Sequence, residues 1–117
     1  MAGPTFLATP TELTISATGS YVDMDVSASV SAAATAAIIE IRNTATTNYG
    51  IYVRQNGSTD DRYVAGGGVG ILATNPIAQI VTVGLDGDKI FELKAENAAI
   101  DCFLHGYVEA ECVWLTK

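Results

Sequence analysis

The chain has a single histidine, His105, in a segment whose alternating residues predict a strand. General-base catalysis would require a nucleophile and an orienting carboxylate beside this imidazole. The alternation instead puts Asp101, Phe103, His105 and Tyr107 on one strand face, where they form a ladder of side chains and not a triad. We therefore predict that the chain has no catalytic residue and is not an enzyme.

Two oxygen-rich stretches, Asp60-Asp61 and Asp86-Gly87-Asp88, are the candidates for binding a hard cation such as calcium. Neither stretch has the spacing of a known calcium loop, and both are typical of turns in which Asp bonds its own backbone. Asp23 and Asp25 alternate with apolar residues, as charges on a solvated strand face do. We predict no metal and no cofactor.

A glycine-rich run, residues 66–70, includes Gly67. A phosphate-binding loop would lead into a helix N-terminus or a suitably placed Lys, whereas this run continues into Ile71-Leu72-Ala73. The run suits a mobile or closely packed loop better, since only glycine leaves room for a neighbouring backbone. Gly67 is therefore a candidate for an interface near a symmetry axis.

A group of aromatic, cationic and loop residues near the middle of the chain is the candidate ligand or interface surface. Its members are Tyr49, Tyr52, Arg54, Asn56, Asp60, Arg62 and Tyr63. Tyrosines between arginines can form a platform for a sugar or a contact between subunits. Ordinary outward-facing strand residues would give the same pattern, so both interpretations stay open.

Apolar and polar residues alternate along most of the chain, and helical periodicity is nearly absent, which predicts an all-β protein. Roughly eight or nine short strands between turns indicate a single antiparallel β-sandwich, jelly-roll or Greek-key like, with a barrel as the alternative. Asp86-Gly87-Asp88 is expected to be a hairpin turn. Residues 27–37, rich in Ala and Ser, could form a short helix, but their alternation favours an extended conformation.

Composition fits one sandwich domain with a surface that is partly covered by other protein. Of the 117 residues, 49% are hydrophobic and only 16% are charged, against about 25% in an average soluble domain. The net charge of -7 argues against binding to nucleic acid, which requires clustered Lys and Arg. We expect self-association or docking on a larger partner.

The chain divides into an N-terminal arm, residues 1–11, and a domain, residues 12–117. Pro4 and Pro10 limit helix formation in the arm, which could reach a neighbouring molecule or be poorly ordered. No segment has the length and hydropathy of a membrane helix, and no signal peptide is visible, so we expect synthesis in a cytoplasm. Cys102 and Cys112 are expected to be buried free thiols, with a bridge between them as the alternative.

Four motifs between Ile38 and Val108 support a resemblance to a known family. They are Val53-Arg54-Gln55-Asn56-Gly57-Ser58-Thr59-Asp60-Asp61-Arg62, Val83-Gly84-Leu85-Asp86, Ile90-Phe91-Glu92 and Leu104-His105-Gly106-Tyr107. With these motifs the chain resembles small β-sandwich structural proteins of phages and other viruses, such as head decoration, head-fibre and tail proteins. The triglycine run replaces the bulky residues usual around the middle loop of that family.

The resemblance implies a non-enzymatic virion component on the capsid surface. It implies self-association, commonly as a homotrimer, and docking on a major capsid protein or another virion protein. The candidate surface that contains Tyr49, Tyr52 and Tyr63 leaves a second class of function open. That alternative is a carbohydrate-binding, receptor-binding module of a viral fibre or tail, with a glycan as its ligand.

Overall fold

A computed structural model of the protein describes residues 3–60, 63–65 and 77–109. These residues form seven strands of four or more residues and one of three, β5, and they contain no helix. The strands are β1 (Pro4–Leu13), β2 (Val22–Asp25), β3 (Ala34–Asn43), β4 (Ile51–Gln55), β5 (Tyr63–Ala65), β6 (Ile77–Gly84), β7 (Ile90–Ala95) and β8 (Ile100–Glu109). The all-β prediction is confirmed. The strand expected around residues 112–115 lies outside the described residues.

The strands form two four-stranded antiparallel sheets, sheet I in the order β1-β8-β3-β6 and sheet II in the order β2-β7-β4-β5. Strand pairs are nested around one hairpin, with β4 beside β5, β3 beside β6, β2 beside β7 and β1 beside β8. A long hairpin rolled up in this way is a jelly roll. The predicted β-sandwich is therefore confirmed, in its jelly-roll form.

One hydrophobic core lies between the sheets, because the apolar residues at alternate strand positions point inward from both. Its fully buried side chains include Ile39, Ile41, Ile51, Phe91 and Leu93. Cys102 is a free, buried thiol in this core, as expected. Burial, with a smaller contribution from the charge of Glu40, raises the pKa of Cys102 to about 12. Cys112 lies outside the described residues.

The segment expected to be an N-terminal arm contributes to sheet I instead, because Pro4–Leu13 is the edge strand β1 and pairs with β8. The pairing is interrupted between Phe6 and Thr11. The two backbones approach so closely at Gly106 that an added Cβ would overlap the carbonyl oxygen of Thr5. Only a residue without a side chain fits there.

The turn at Asp86-Gly87-Asp88 is tight, as predicted, but the prediction of a hairpin is wrong. Asp86 Oδ1 accepts hydrogen bonds from the backbone amides of Asp88 and Ile90 at 2.9 Å each. Lys89 takes a φ of 65°, and the chain then passes from β6 in sheet I to β7 in sheet II. The turn therefore joins the two layers and not two paired strands.

Two further expectations need correction. Residues 27–33 form turns and bends, and the extended conformation expected for residues 27–37 begins only at Ala34.

The register between β3 and β8 also shifts at His105, which lies as an extra residue between Leu104 and Gly106. This bulge turns Tyr107 toward the core, so it does not share a face with Phe103 and His105. With no helix in the described ranges, the structure offers no helical membrane span.

Candidate functional site

The sandwich has two outer faces, and each concentrates a set of polar side chains. We call the outer face of sheet II the tyrosine face, defined by Tyr21, Tyr52, Arg54, Glu92 and Lys94. We call the outer face of sheet I the Glu40 face, defined by Phe6, Ile38, Glu40, Arg42, Ile80, Phe103 and His105. The alternation that buries every second residue places the remaining ones on these faces.

On the tyrosine face, Arg54 contacts side chains or backbone from three other parts of the chain. Its Nε donates to Glu92 Oε1 at 2.6 Å, across the register that pairs these residues on β4 and β7. Its guanidinium lies 3.5 Å from the centroid of the Tyr21 ring, and one of its Nη atoms donates to the carbonyl oxygen of Asp60 at 3.1 Å. These contacts hold the Asp60 loop, the Tyr21 ring and β7 together.

Lys94 continues this arrangement along β7. Its Nζ lies 4.3 Å from the Tyr52 ring centroid and 5.0 Å from that of Tyr21. Cations over aromatic faces gain about 0.5–1 kcal/mol at exposed sites. A sugar that stacked on these rings would therefore have to compete with the lysine and the arginine for the same surfaces.

The structure brings together only part of the predicted surface. Arg54 contacts Asp60 and shares the tyrosine face with Tyr52, whereas Tyr49 packs against the hydrophobic core. The side-chain amide of Asn56 donates to Asp86 Oδ2 at 2.7 Å and so links two loops. The backbone register places Tyr63 opposite Tyr52. Arg62 and Gly67 lie outside the described residues.

Three residues of the tyrosine face were not among the predicted site residues: Tyr21, Glu92 and Lys94. Alternation along β7 does indicate that Glu92 and Lys94 face outward. Their contacts depend on the strand order of sheet II, in which β7 lies between β2 and β4. The sequence therefore indicates that these side chains face outward, but it does not indicate which side chains of neighbouring strands they contact.

On the Glu40 face, an ion cluster lies at the centre of sheet I. Glu40 Oε1 lies 2.6 Å from His105 Nε2, while Oε2 accepts hydrogen bonds from Arg42 Nη2 at 2.6 Å and Arg42 Nε at 3.2 Å. The Arg42 guanidinium also lies 5.7 Å from the ring centroid of Phe103. Glu40 is only 9% exposed, although it is on an outer face.

Two opposing effects act on the pKa of Glu40. Burial raises it, but the hydrogen bonds from His105 and Arg42, together with the positive charge of these partners, lower it further than burial raises it. The net result is a pKa below the ordinary value. Glu40 is therefore an ionised acceptor for both neighbours and is a poor proton donor at neutral pH. His105 Nε2 is held by this carboxylate, so the imidazole and the guanidinium of Arg42 share one buried acceptor.

Apolar side chains surround this cluster across the sheet. The strand register aligns Phe103, Glu40 and Ile80 in one row, and Phe6, Gly106, Ile38 and Thr82 in the next. Phe6 is 65% exposed and Ile80 is 56% exposed. A shallow hollow of about 270 Å³, lined by Pro10, Glu40, Arg42 and Phe103, lies on the same face. The face thus combines a small ionic centre with exposed apolar edges.

The acidic loops make internal hydrogen bonds. Asp86 accepts from its own turn and from Asn56, and the backbone amide of Asp60 bonds the hydroxyl of Ser58 at 3.2 Å. Within the described ranges, no three His, Cys, Asp or Glu side chains converge as metal ligands. The described carboxylates in these loops therefore organise turns and link loops.

The chain matches no protein-family model, and no curated protein matches it significantly. The jelly-roll fold by itself is used for many functions. The features of this chain that bear on its function are therefore the two outer faces and the edges of the sheets.

Proposed function

We propose that the protein is a non-enzymatic virion structural protein: a subunit that decorates or cements a phage capsid. It associates with copies of itself and docks on the major capsid protein or another virion protein. The proposal combines the resemblance noted in the sequence with the properties of the Glu40 face.

The observation that carries the proposal is the contrast on sheet I between the buried, paired carboxylate of Glu40 and the exposed apolar side chains. Glu40 contacts both Arg42 and His105, so covering the centre of this face leaves its carboxylate paired. Phe6 and Ile80 are the exposed large apolar side chains among the described residues, and both lie on this sheet. A protein partner that covered them would gain about 25 cal/mol for each Å² of apolar surface removed from water.

Architecture and composition support the same function. Jelly rolls serve as shell-forming and carbohydrate-binding domains in viruses and lectins. Only 16% of the residues are charged, which suits a subunit whose surface is partly covered in an assembly. The resemblance implies three copies in that assembly, and each copy would present its Glu40 face to the shell.

The test uses the capsid protein encoded near the gene of this chain. The purified protein is mixed with empty capsids assembled from that protein, and co-sedimentation is measured. We expect Phe6→Lys to weaken binding, because it places a charge on the Glu40 face. The matched control, Asp23→Lys, places a lysine on sheet II and should leave binding intact. Absence of any capsid or portal gene nearby, or no co-sedimentation of the unmodified protein, would contradict the proposal.

The second candidate function is a glycan-binding, receptor-binding module. The observation that favours it is the pair of tyrosine rings, Tyr21 and Tyr52, on either side of Lys94. Binding on a glycan array that disappears with Tyr52→Ala would support this function. Capsid binding without glycan binding would favour the first proposal.

A further inference from the structure

Among the described residues the jelly roll has four edge strands, β1 and β6 in sheet I and β2 and β5 in sheet II. An edge strand presents backbone N–H and C=O groups that can pair with another chain. Natural proteins prevent such pairing with short strands, charges, prolines or irregular register. An edge without these features is therefore a candidate for pairing.

Three of the four edges have such protection. β2 has four residues and includes Asp23 and Asp25, and β5 has three residues. β1 contains Pro4, Pro10 and Glu12, and its register with β8 is interrupted. Each of these edges is therefore a poor template for an additional strand.

β6 lacks all of these features. Its eight residues, Ile-Ala-Gln-Ile-Val-Thr-Val-Gly, include no charged residue and no proline. β-branched residues, which favour strands, occupy five of the eight positions. Gln79, Ile80 and Thr82 are exposed, and among the described residues β3 is its only hydrogen-bonded neighbour. β6 is thus a long, neutral and accessible edge.

We propose that β6 of one copy pairs with β6 of a second copy, antiparallel and across a two-fold axis. The two copies of sheet I then become one continuous sheet. This inference rests on the self-association in the proposed function and specifies the surface that mediates it, with two copies at that surface in place of the three that the resemblance implies.

A second copy of the chain fits this edge better than another partner for two reasons. An antiparallel strand pair is self-complementary, so one edge is sufficient for a closed dimer. Each chain has a net charge of -7, and β6 is a place where two copies can meet without bringing charged strand residues together. Pairing of β6 with β1 of a neighbour is less suitable, because the prolines of β1 cannot donate backbone hydrogen bonds. Pairing also places Ile80 near the same strand of the second copy, where its apolar surface leaves water.

The first experiment measures mass by light scattering on the full chain, from submicromolar to high micromolar concentration. We expect a mass that approaches twice the 12.2 kDa of one chain. Ile80→Lys places like charges near each other across the axis and should weaken the dimer by about tenfold or more. Ile80 is exposed, so the variant should fold, and circular dichroism verifies this. Phe6→Lys also introduces a lysine at an exposed apolar residue, but on β1 at the other edge of sheet I, so this variant should keep the mass of the unmodified dimer.

The second experiment is amide hydrogen exchange at concentrations above and below the midpoint of association. Alternate amides of β6 should exchange more slowly in the dimer, and Ile80→Lys should abolish that difference. A monomer at every concentration, a mass three times that of the chain, or equal loss of association in Phe6→Lys would each overturn the inference.

Capsid co-sedimentation separates this inference from the proposed function. A monomeric protein that still co-sediments would refute the β6 dimer and support capsid docking. A dimer that depends on Ile80 and does not co-sediment would support the pairing and contradict the decoration function.

Discussion

Each outer face of the sandwich has a carboxylate that joins neighbouring strands, Glu40 on sheet I and Glu92 on sheet II. Glu40 accepts hydrogen bonds from Arg42 and contacts His105, so cationic or polar donors surround it. Glu92 accepts from Arg54 on one neighbouring strand, but the register places Asp23 opposite it on the other. The first carboxylate has two favourable partners, and the second lies between a cation and an anion.

The surroundings of the two carboxylates differ even more. On sheet II, Arg54 and Lys94 lie over the tyrosine rings, so cations cover the aromatic surface. On sheet I, Phe6 and Ile80 are left exposed at the two edges. The same fold thus has one outer face on which cations cover aromatic rings and one on which large apolar side chains are exposed, and the capsid-docking and β6-pairing proposals both use the second.

The largest expected effect comes from removing the charge of Glu40. Glu40→Gln leaves His105 and Arg42 without an ionised acceptor, and we expect a loss of about 2 kcal/mol in the free energy of unfolding. The partly exposed Arg42 side chain can turn to water, which keeps the loss below that of a fully buried pair. Urea denaturation at neutral pH gives the value.

Glu92→Gln is the matched change on sheet II. It weakens the bond with Arg54 but also removes the repulsion from Asp23, so we expect a loss of only about 1 kcal/mol. Equal losses for the two variants would show that the environments of the two carboxylates do not differ in energy.

The pH dependence of stability should distinguish Glu40 in a second way. The pKa of Glu40 is lowered in the folded protein, so its ionised form stabilises the fold at pH values above its ordinary pKa of 4.5. That contribution is lost as pH falls through the lowered pKa. The difference in unfolding free energy between the unmodified protein and Glu40→Gln should therefore shrink on acidification from about pH 5. A difference that grew in acid would contradict the assigned direction.

The sequence predicted the inward faces of the strands well, because alternation directly reports which residues share a face. Ile51, Val53, Phe91 and Leu93 are all buried as their pattern indicates. Alternation fails at Tyr107, since the bulge at His105 inserts one residue and reverses the faces beyond it.

The candidate sites were harder to predict than the faces. Glu40 and His105 are 65 positions apart in the chain, and Arg54 and Glu92 are 38 apart. Their contacts depend on β8 lying beside β3 and on β7 lying beside β4. Periodicity within one strand contains no information about that order, so the sequence places His105 on a face with Asp101 of its own strand and gives no sign of its contact with Glu40.

A smaller effect is expected on the tyrosine face at Tyr21. Tyr21→Leu removes the ring beneath Arg54, and we expect a loss of about 1 kcal/mol in unfolding free energy. Tyr21→Phe keeps the ring and removes the long hydroxyl bond of 3.5 Å to the carbonyl oxygen of Asp60, so its loss should be smaller. Thermal unfolding of both variants tests the difference. If Tyr21→Phe lost as much unfolding free energy as Tyr21→Leu, the hydroxyl of Tyr21 and not its ring would make the stabilising contact.

The smallest effect, and the only expected gain, comes from Asp23. Asp23 lies opposite Glu92 in the register of β2 and β7, and like charges at opposed positions destabilise a sheet. Asp23→Asn should therefore raise the free energy of unfolding by about 0.3 kcal/mol. The gain should decrease at high salt, because exposed charges are screened.

Asp25→Asn makes the same charge change on the same strand and provides the control. Asp25 lies opposite the uncharged Ile90, and hydrogen bonds from Ser27 lower its pKa. Removing that charge loses a favourable interaction in the folded state, so Asp25→Asn should give no gain. If both variants were stabilising to the same extent, the cause would be the net charge of -7 and not the pairing of Asp23 with Glu92. Only a gain confined to Asp23 shows that sheet II retains a local repulsion beside Glu92, which the favourable partners of Glu40 avoid on sheet I.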